Sequence, residues 1–395
     1  MANGSLMMAN SSSVSQRTRE PTSRGPFVKI DRFDTLAVGV IAVLLIAIGV
    51  VIAHGDHASG AAAIPPGIIY VGPIDALTQN LWRAAPDGSG SPRQLTNVAH
   101  GILDFDISRD GLVAYSDQTA QGGTKLMQFD PATGKSTVLY DCPDATCMEP
   151  AWRPDGKAIA FDHSTLNLGT NLPPGAPRVW VYDLTTGQTT ALFNDGQKLG
   201  YMARWSPDGK KLAVFDAGSA GIVIHDFTTN TDIFISAIQG QVGTFSPDGK
   251  LLWFPKIVTV VGGQYVTHLV LVDVNSNPPV QHDLVSDDEA IDDADPIWLP
   301  ESKSLLLLRI PKGRLDTQER QIYKVDVVRG VATAVLDEQG FTHSNLSLNA
   351  TGDVLVYQKL ELGTSITRPE IWTLDLTTGA KRKVADDGNV PRWLP

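Results

Sequence analysis

From residue 67 onward the apolar positions of this chain come in short runs, each closed within a few residues by Gly, Pro, Asp, Asn or Thr. Short runs with period-two alternation predict β-strands, and the punctuation between them predicts tight turns. One turn recurs almost unchanged: Arg153-Pro154-Asp155-Gly156-Lys157, Ser206-Pro207-Asp208-Gly209-Lys210 and Ser246-Pro247-Asp248-Gly249-Lys250, with Ser108-Arg109-Asp110-Gly111 as a degraded copy. Pro presets the backbone angle at the second position of a tight turn, Asp accepts from nearby amides, and Gly supplies the positive angle that closes it. An aromatic stands two places before the Pro (Trp152, Trp205, Phe245), and a second apolar run follows, as in Leu212 to Phe215. Each copy therefore predicts strand, hairpin turn, strand.

Trp298-Leu299-Pro300-Glu301-Ser302 and Leu348-Asn349-Ala350-Thr351-Gly352 extend the series in the same register. Counted at the Asp position, successive copies lie 40 to 53 residues apart. A second motif keeps step with the first: an alternating run that ends in Asp and a Thr-Gly turn, as in Val179 to Gly187 and Ile371 to Gly379, with Asp130, Asp226, Asp273 and Asp326 at the same place elsewhere. Each unit thus predicts four strands and two tight turns, the signature of a β-propeller blade. The chain ends supply the closure. Asn389 to Pro395 reads as a first strand with nothing after it, and Gly67 to Gly72 as a second strand with no first strand before it. Joined, they complete one blade, with Leu81 to Ala84 and Pro92 to Thr96 as its outer strands. The expectation is an all-β, seven-bladed β-propeller over 67–395, with four-stranded blades, one of them shared by the N- and C-terminal strands, so that no open edge remains between the ends.

The repeated Trp-Ser-Pro-Asp-Gly-Lys turn resembles that of the TolB-like, WD-repeat-like propeller family, and the resemblance covers 67–395. It implies fold more than function, because the motif residues build turns and blade cores rather than a site. The seven blades depart from the six of TolB itself, and TolB's extra α/β domain has no counterpart. A seven-bladed ring also precedes the hydrolase domain of prolyl-oligopeptidase-like enzymes, but this chain stops where that domain would begin.

Residues 1–33 are rich in Ser, Asn and Arg and lack hydrophobic periodicity, which predicts a disordered tail. From 34 to 53 the character changes: Leu36 to Ala53 carries no charge and, at ~1.5 Å per helical residue, is long enough to cross a bilayer core of ~30 Å with help from its flanks. Arg17, Arg19, Arg24, Lys29 and Arg32 precede it, and no Lys or Arg follows until Arg83. The positive-inside rule then predicts a single-pass transmembrane helix with a cytosolic N-terminus and the propeller on the extracytoplasmic side. A cleaved signal peptide is the alternative. Residues 54–66 form a short linker that keeps the ring near the membrane.

The chain carries a net charge of −11, of which the tail through Asp34 contributes +2 and the remainder −13. An acidic ring excludes nucleic-acid binding by phosphate neutralisation. The two cysteines, Cys142 and Cys147, are spaced for a small disulfide loop in an oxidising compartment. The stretch from Asp287 to Asp295 holds six carboxylates; it lacks a calcium-loop pattern and reads as a solvated acidic loop, suited to a basic partner. Ala217-Gly218-Ser219-Ala220-Gly221 lacks one glycine of a nucleophile elbow and lies between strands.

Both turn types fall on one rim of the ring. The opposite rim carries the links between blades and the strand two-to-three loops, of which 162–178, 255–265 and 311–320 are longest. Loops on a rigid scaffold are the usual seat of binding. Polar residues at the start of the innermost strands (Asp104, Glu149, Tyr201, Asp293, His343 and Arg392) are the candidates for a binding rim around the channel mouth. The sequence-based expectation is a non-enzymatic binding or scaffolding module without cofactor or metal. Its partner would be a membrane-associated protein, within the kind of membrane or envelope complex that the resemblance implies. The alternative is a small-molecule sensor or a lactonase- or dehydrogenase-like propeller enzyme that uses the channel mouth.

Overall fold

The computed structural model describes residues 66–395 apart from 75, 77, 171, 239 and 364–367. The expected tail, transmembrane helix and all but the last linker residue lie outside the described residues. What is described is seven antiparallel sheets, six of them meanders in chain order and one that pairs the last strand with the first. Numbered from the first complete unit, blade 1 spans residues 102–141, blade 2 145–191, blade 3 201–236, blade 4 245–283, blade 5 292–336 and blade 6 341–385. Blade 7 joins the two chain ends: Asn389–Leu394 is its innermost strand and pairs antiparallel with Gly67–Gly72, with Leu394 opposite Gly67 and Trp393 opposite Ile68.

The strands are apolar on both faces because each blade packs against two neighbours. In Ser304–Ile310, Leu305 and Leu307 join the cluster shared with blade 4, while Leu306 and Leu308 join the one shared with blade 6. The same division runs around the ring, so its main core is seven interfaces, each made by two successive blades. Removing any blade would expose two of them. At roughly 25 cal/mol per Å² of apolar surface, that loss explains why the ends are stitched into one sheet.

The turn chemistry follows the sequence reading. In Ser206 to Lys210 the Gly209 amide donates to the Ser206 carbonyl at 2.9 Å, and Asp208 Oδ1 accepts from Ser206 Oγ at 2.6 Å and from the Lys210 amide at 3.1 Å. The Thr-Gly turns are built on the preceding Asp: Asp183 Oδ1 accepts from the Thr185 and Thr186 amides at 2.8 and 2.9 Å. Blade 4 departs from the expectation of four regular strands. Its sheet has three, and the innermost segment is tied to it by a single bridge, Phe245 to Leu252. Gly243 lies so close to Trp253 that a Cβ would sit 1.9 Å from the Trp253 carbonyl oxygen, and the Thr244 carbonyl is taken instead by the Trp298 indole N–H at 3.0 Å. Within the blade the Trp253 indole N–H donates to Thr244 Oγ1 at 3.1 Å, a side-chain bond where the ladder is missing.

Candidate functional site

The innermost strands line the axis, and most share one irregularity. Their pairing with the second strand shifts at a bulge, between Met148 and Ala151 in blade 2, Ala294 and Ile297 in blade 5, and Ser344 and Ser347 in blade 6. At the bulge sits a residue of positive φ: Glu149 (52°), Met202 (59°), Asp295 (44°), Asn345 (53°) and Val390 (50°). Such backbone is costly for non-glycine residues and re-aims the side chains that follow.

Carboxylates of the preceding blade receive amides freed by two of these bulges. Asp104 Oδ2 accepts from the Glu149 amide at 2.6 Å, and both oxygens of Asp162 accept from the Met202 amide at 3.2 and 3.0 Å. Asp106 Oδ2 likewise accepts from the Trp152 amide at 2.8 Å. Burial pushes Asp104 up to about 6 against the pull of the Glu149 amide, and it pushes Asp162 up to about 7 with the charge of Glu149 adding to the effect. Asp106 is raised by burial too.

Within the ring of inner strands lies a cavity of about 360 Å³, lined by all seven blades. Its charged groups are Asp106, Glu149, Asp295, Arg204 and Arg392. Of the six residues expected at the channel mouth, the geometry brings Glu149 and Arg392 to this cavity, and Asp104 stands behind Glu149 as the acceptor of its amide. Tyr201 packs on Phe215 with ring centroids 5.3 Å apart. Asp293 is 1% exposed and gripped by Arg309 Nε and Nη2 at 2.6 and 2.8 Å. His343 is equally buried, with Nδ1 2.9 Å from the Arg320 carbonyl and Nε2 3.3 Å from Glu338 Oε2.

Sequence reasoning missed Asp106, Arg204 and Asp295. Two of the missed or found cations share a legible place: Arg204-Trp205 and Arg392-Trp393 each put an arginine directly before the innermost-strand tryptophan.

The acidic stretch is not a bare anionic surface. Asp287 Oδ1 lies 2.7 Å from Lys256 Nζ, Glu289 3.7 Å from Lys312, and Asp292 Oδ2 2.5 Å from Arg320 Nη2, while Asp293 holds Arg309 and Asp295 faces the channel. Most of its charge is spent on cations of blades 4 and 5 and the loops beside them. Cys142 and Cys147 form a disulfide with their Cα atoms 6.3 Å apart, inside the apolar cluster between blades 1 and 2. Among the described residues no cluster of three or more His, Cys, Asp or Glu is arranged to hold a metal ion.

No protein-family model matches the chain, and no curated protein matches it. Solved structures do. An oligogalacturonate lyase from Vibrio parahaemolyticus is 14% identical with a TM-score of 0.57, over 81% of this chain and 86% of that one. A puromycin hydrolase mutant is 14% identical with a TM-score of 0.57, over 83% of this chain and 53% of that one. TolB from Acinetobacter baumannii is 18% identical with a TM-score of 0.48, over 85% of this chain and 68% of that one. The expectation of a non-enzymatic module is corrected by these likenesses: the ring is one that enzymes carry, so the lack of a familiar catalytic motif does not exclude catalysis. With its own seven sheets and repeated turns, the chain has the fold of a seven-bladed β-propeller.

Proposed function

We propose that this protein is a single-pass, membrane-anchored propeller displayed outside the cytoplasm, which docks a membrane-associated protein partner through its long-loop rim. The observation that carries the reading is the apolar surface of that rim. Leu172 in the blade 2 loop, Ile238 in the link to blade 4, and Val261 and Tyr265 in the blade 4 hairpin are 66%, 82%, 89% and 79% exposed. Val328, 79% exposed, and Phe227 stand on the opposite rim, but the long-loop rim carries more of the large exposed apolar residues, and such a concentration marks an interaction face. The hairpin is built to present them. It extends the blade 4 sheet to the Thr259–Tyr265 pair, and one of its faces is covered where Val258, Val260 and Val266 pack with Ala290 and Leu315. Gly67 and Leu394 pair at the Pro-Asp-Gly rim, opposite the long-loop rim.

The test is photo-crosslinking in native membranes from position 261, with position 132 on the Pro-Asp-Gly rim as control. A single membrane protein captured at 261 and absent at 132 supports the reading. Equal capture at both positions, or none at either, overturns it.

A further inference from the structure

We propose that the channel is a binding site for a small organic acid, its carboxylate held by Arg204 and Arg392 and its hydroxyl or ammonium donors by Glu149 and Asp295. This goes beyond the docking role of the rim and does not depend on it.

A guanidinium offers five N–H donors in a fixed fork, and one withdrawn from water is ordinarily matched by a carboxylate. Arg309 shows that arrangement in this molecule, with two nitrogens on Asp293. The channel arginines lack it: Arg204 keeps part of its surface in water, its side chain 31% exposed, with Glu149 as a loose ion-pair partner. Arg392 donates from Nη1 to the Pro391 carbonyl at 3.4 Å, and Arg204 from Nη1 to the Ala203 carbonyl at 2.9 Å; both acceptors are backbone neighbours. The nearest carboxylate oxygen to Arg204, Glu149 Oε2, is 4.0 Å from Nη2, beyond hydrogen-bond length. Both guanidiniums line the cavity, and neither makes a hydrogen bond to a carboxylate among the described residues.

The two arginines come from blades 3 and 7, which do not touch in the ring order, yet they stand at the same register and line one cavity. Burial lowers the proton affinity of Arg392, the charge of Asp106 works against that, and the charge of Arg204 lowers it again while Asp295 and Glu149 raise it, so the two arginines repel each other within a wall that also carries three carboxylates. An anion between them would relieve that cost and supply a bidentate acceptor. The rest of the wall selects the class of anion. Asp106 is occupied by the Trp152 amide, but Glu149 and Asp295 are acceptors on the same wall. They disfavour a fully anionic ligand such as sulfate and favour a molecule with donors beside its carboxylate. A volume of about 360 Å³ suits a metabolite of a few carbons and not a folded segment.

The experiment is ligand-observed NMR and calorimetry on the full-length protein with L-malate and L-glutamate as probes, and with succinate and sulfate as the acids that lack the donors. The expected result is that malate or glutamate binds and succinate and sulfate bind at least about tenfold more weakly. Arg204→Gln should weaken the favoured probe by about tenfold or more while the ring still melts cooperatively. Arg392→Gln should do the same; since Arg392 lies in the closing strand, Arg204→Gln carries the test if that variant does not fold. No binding of either probe at millimolar concentration, or binding unchanged in Arg204→Gln, overturns the proposal. Binding that ranks sulfate with malate overturns the role of Glu149 and Asp295.

Discussion

The indole N–H of Trp393 donates to the backbone carbonyl of Ser347 at 3.1 Å, joining the third residue from the C-terminus to the innermost strand of the preceding blade. Trp205 makes the same bond to Ala151 at 3.0 Å, and Trp298 to Thr244 at 3.0 Å. In each pair the tryptophan stands at the end of an inner strand, or next to it in the case of Trp393, and the acceptor stands one register position earlier in the neighbour. In these three blades the inner-strand tryptophan is thus a fastener between blades as well as core, whereas the Trp152 indole N–H finds no acceptor among the described residues and Phe245 has no donor to offer.

Closure through Trp393 makes the last residues structural. Deleting 389–395 removes the ladder to Gly67, Ile68, Ile69 and Val71, and should abolish cooperative melting of the ring. Trp393→Phe keeps most of the packing but leaves the Ser347 carbonyl without its donor, for a cost of about 1–3 kcal/mol in urea unfolding. A truncated ring that melts like the full chain would contradict the closure.

The turns of successive blades also interlock. A Cβ on Gly352 would lie 2.5 Å from Pro300 Cγ in the preceding blade's turn, whereas one on Gly134 would meet nothing within 4 Å; both glycines have positive φ, +75° and +70°. Gly134→Ala should therefore show only the backbone penalty, about 1 kcal/mol, and Gly352→Ala clearly more. Equal shifts in melting temperature would show that the turns do not bear on one another.

Glu338 receives Lys381 Nζ at 2.6 Å and Lys359 Nζ at 2.9 Å. Burial works to raise its proton affinity, but these bonds, the charge of Lys359 and the contact with His343 prevail and hold it at about 2. A carboxylate depressed on folding stabilises the protein above its unfolded value and loses that contribution as pH falls, here from about 4.5 to 2. Asp162 runs the other way. Raised to about 7 from 3.8, it lowers stability as pH rises between those values. Asp162→Asn should flatten that fall and be neutral or stabilising at pH 8, because the amide oxygen can still accept from Met202. Glu338→Gln should destabilise at pH 7 and lose sensitivity to acid below pH 4.5. Melting curves of both variants across pH decide the two signs.

The disulfide closes a loop of only a few residues, so its effect on the unfolded chain is modest. Replacing Cys142 and Cys147 together by Ala should cost about 2 kcal/mol, plus a cavity term from the cluster they share with Phe161 and Trp152. Reductant should reproduce the first part in the parent chain and change nothing in the double variant.

The chain by itself determined the repeat, the turn chemistry, the number of blades and the shared seventh blade. All of these depend on local rules: Pro, Asp and Gly close a turn wherever they occur in that order, and runs apolar on both faces demand neighbours on both sides. It did not determine which polar residues reach the axis. Taking the polar residues at the start of each inner strand points to Asp293 and His343, which lie before the bulges and are buried, where Arg309 and Glu338 meet them. The bulge at Asp295 or Asn345 resets the alternation, so the residues that follow it, and their counterparts Arg204 and Arg392, face the channel instead. That reset is stabilised by carboxylates forty or more residues away in sequence, such as Asp104 on the Glu149 amide, and contacts made across blades are visible only once the ring is closed. The acidic stretch teaches the same lesson: its carboxylates read as one charged loop, and the fold hands most of them to separate cations.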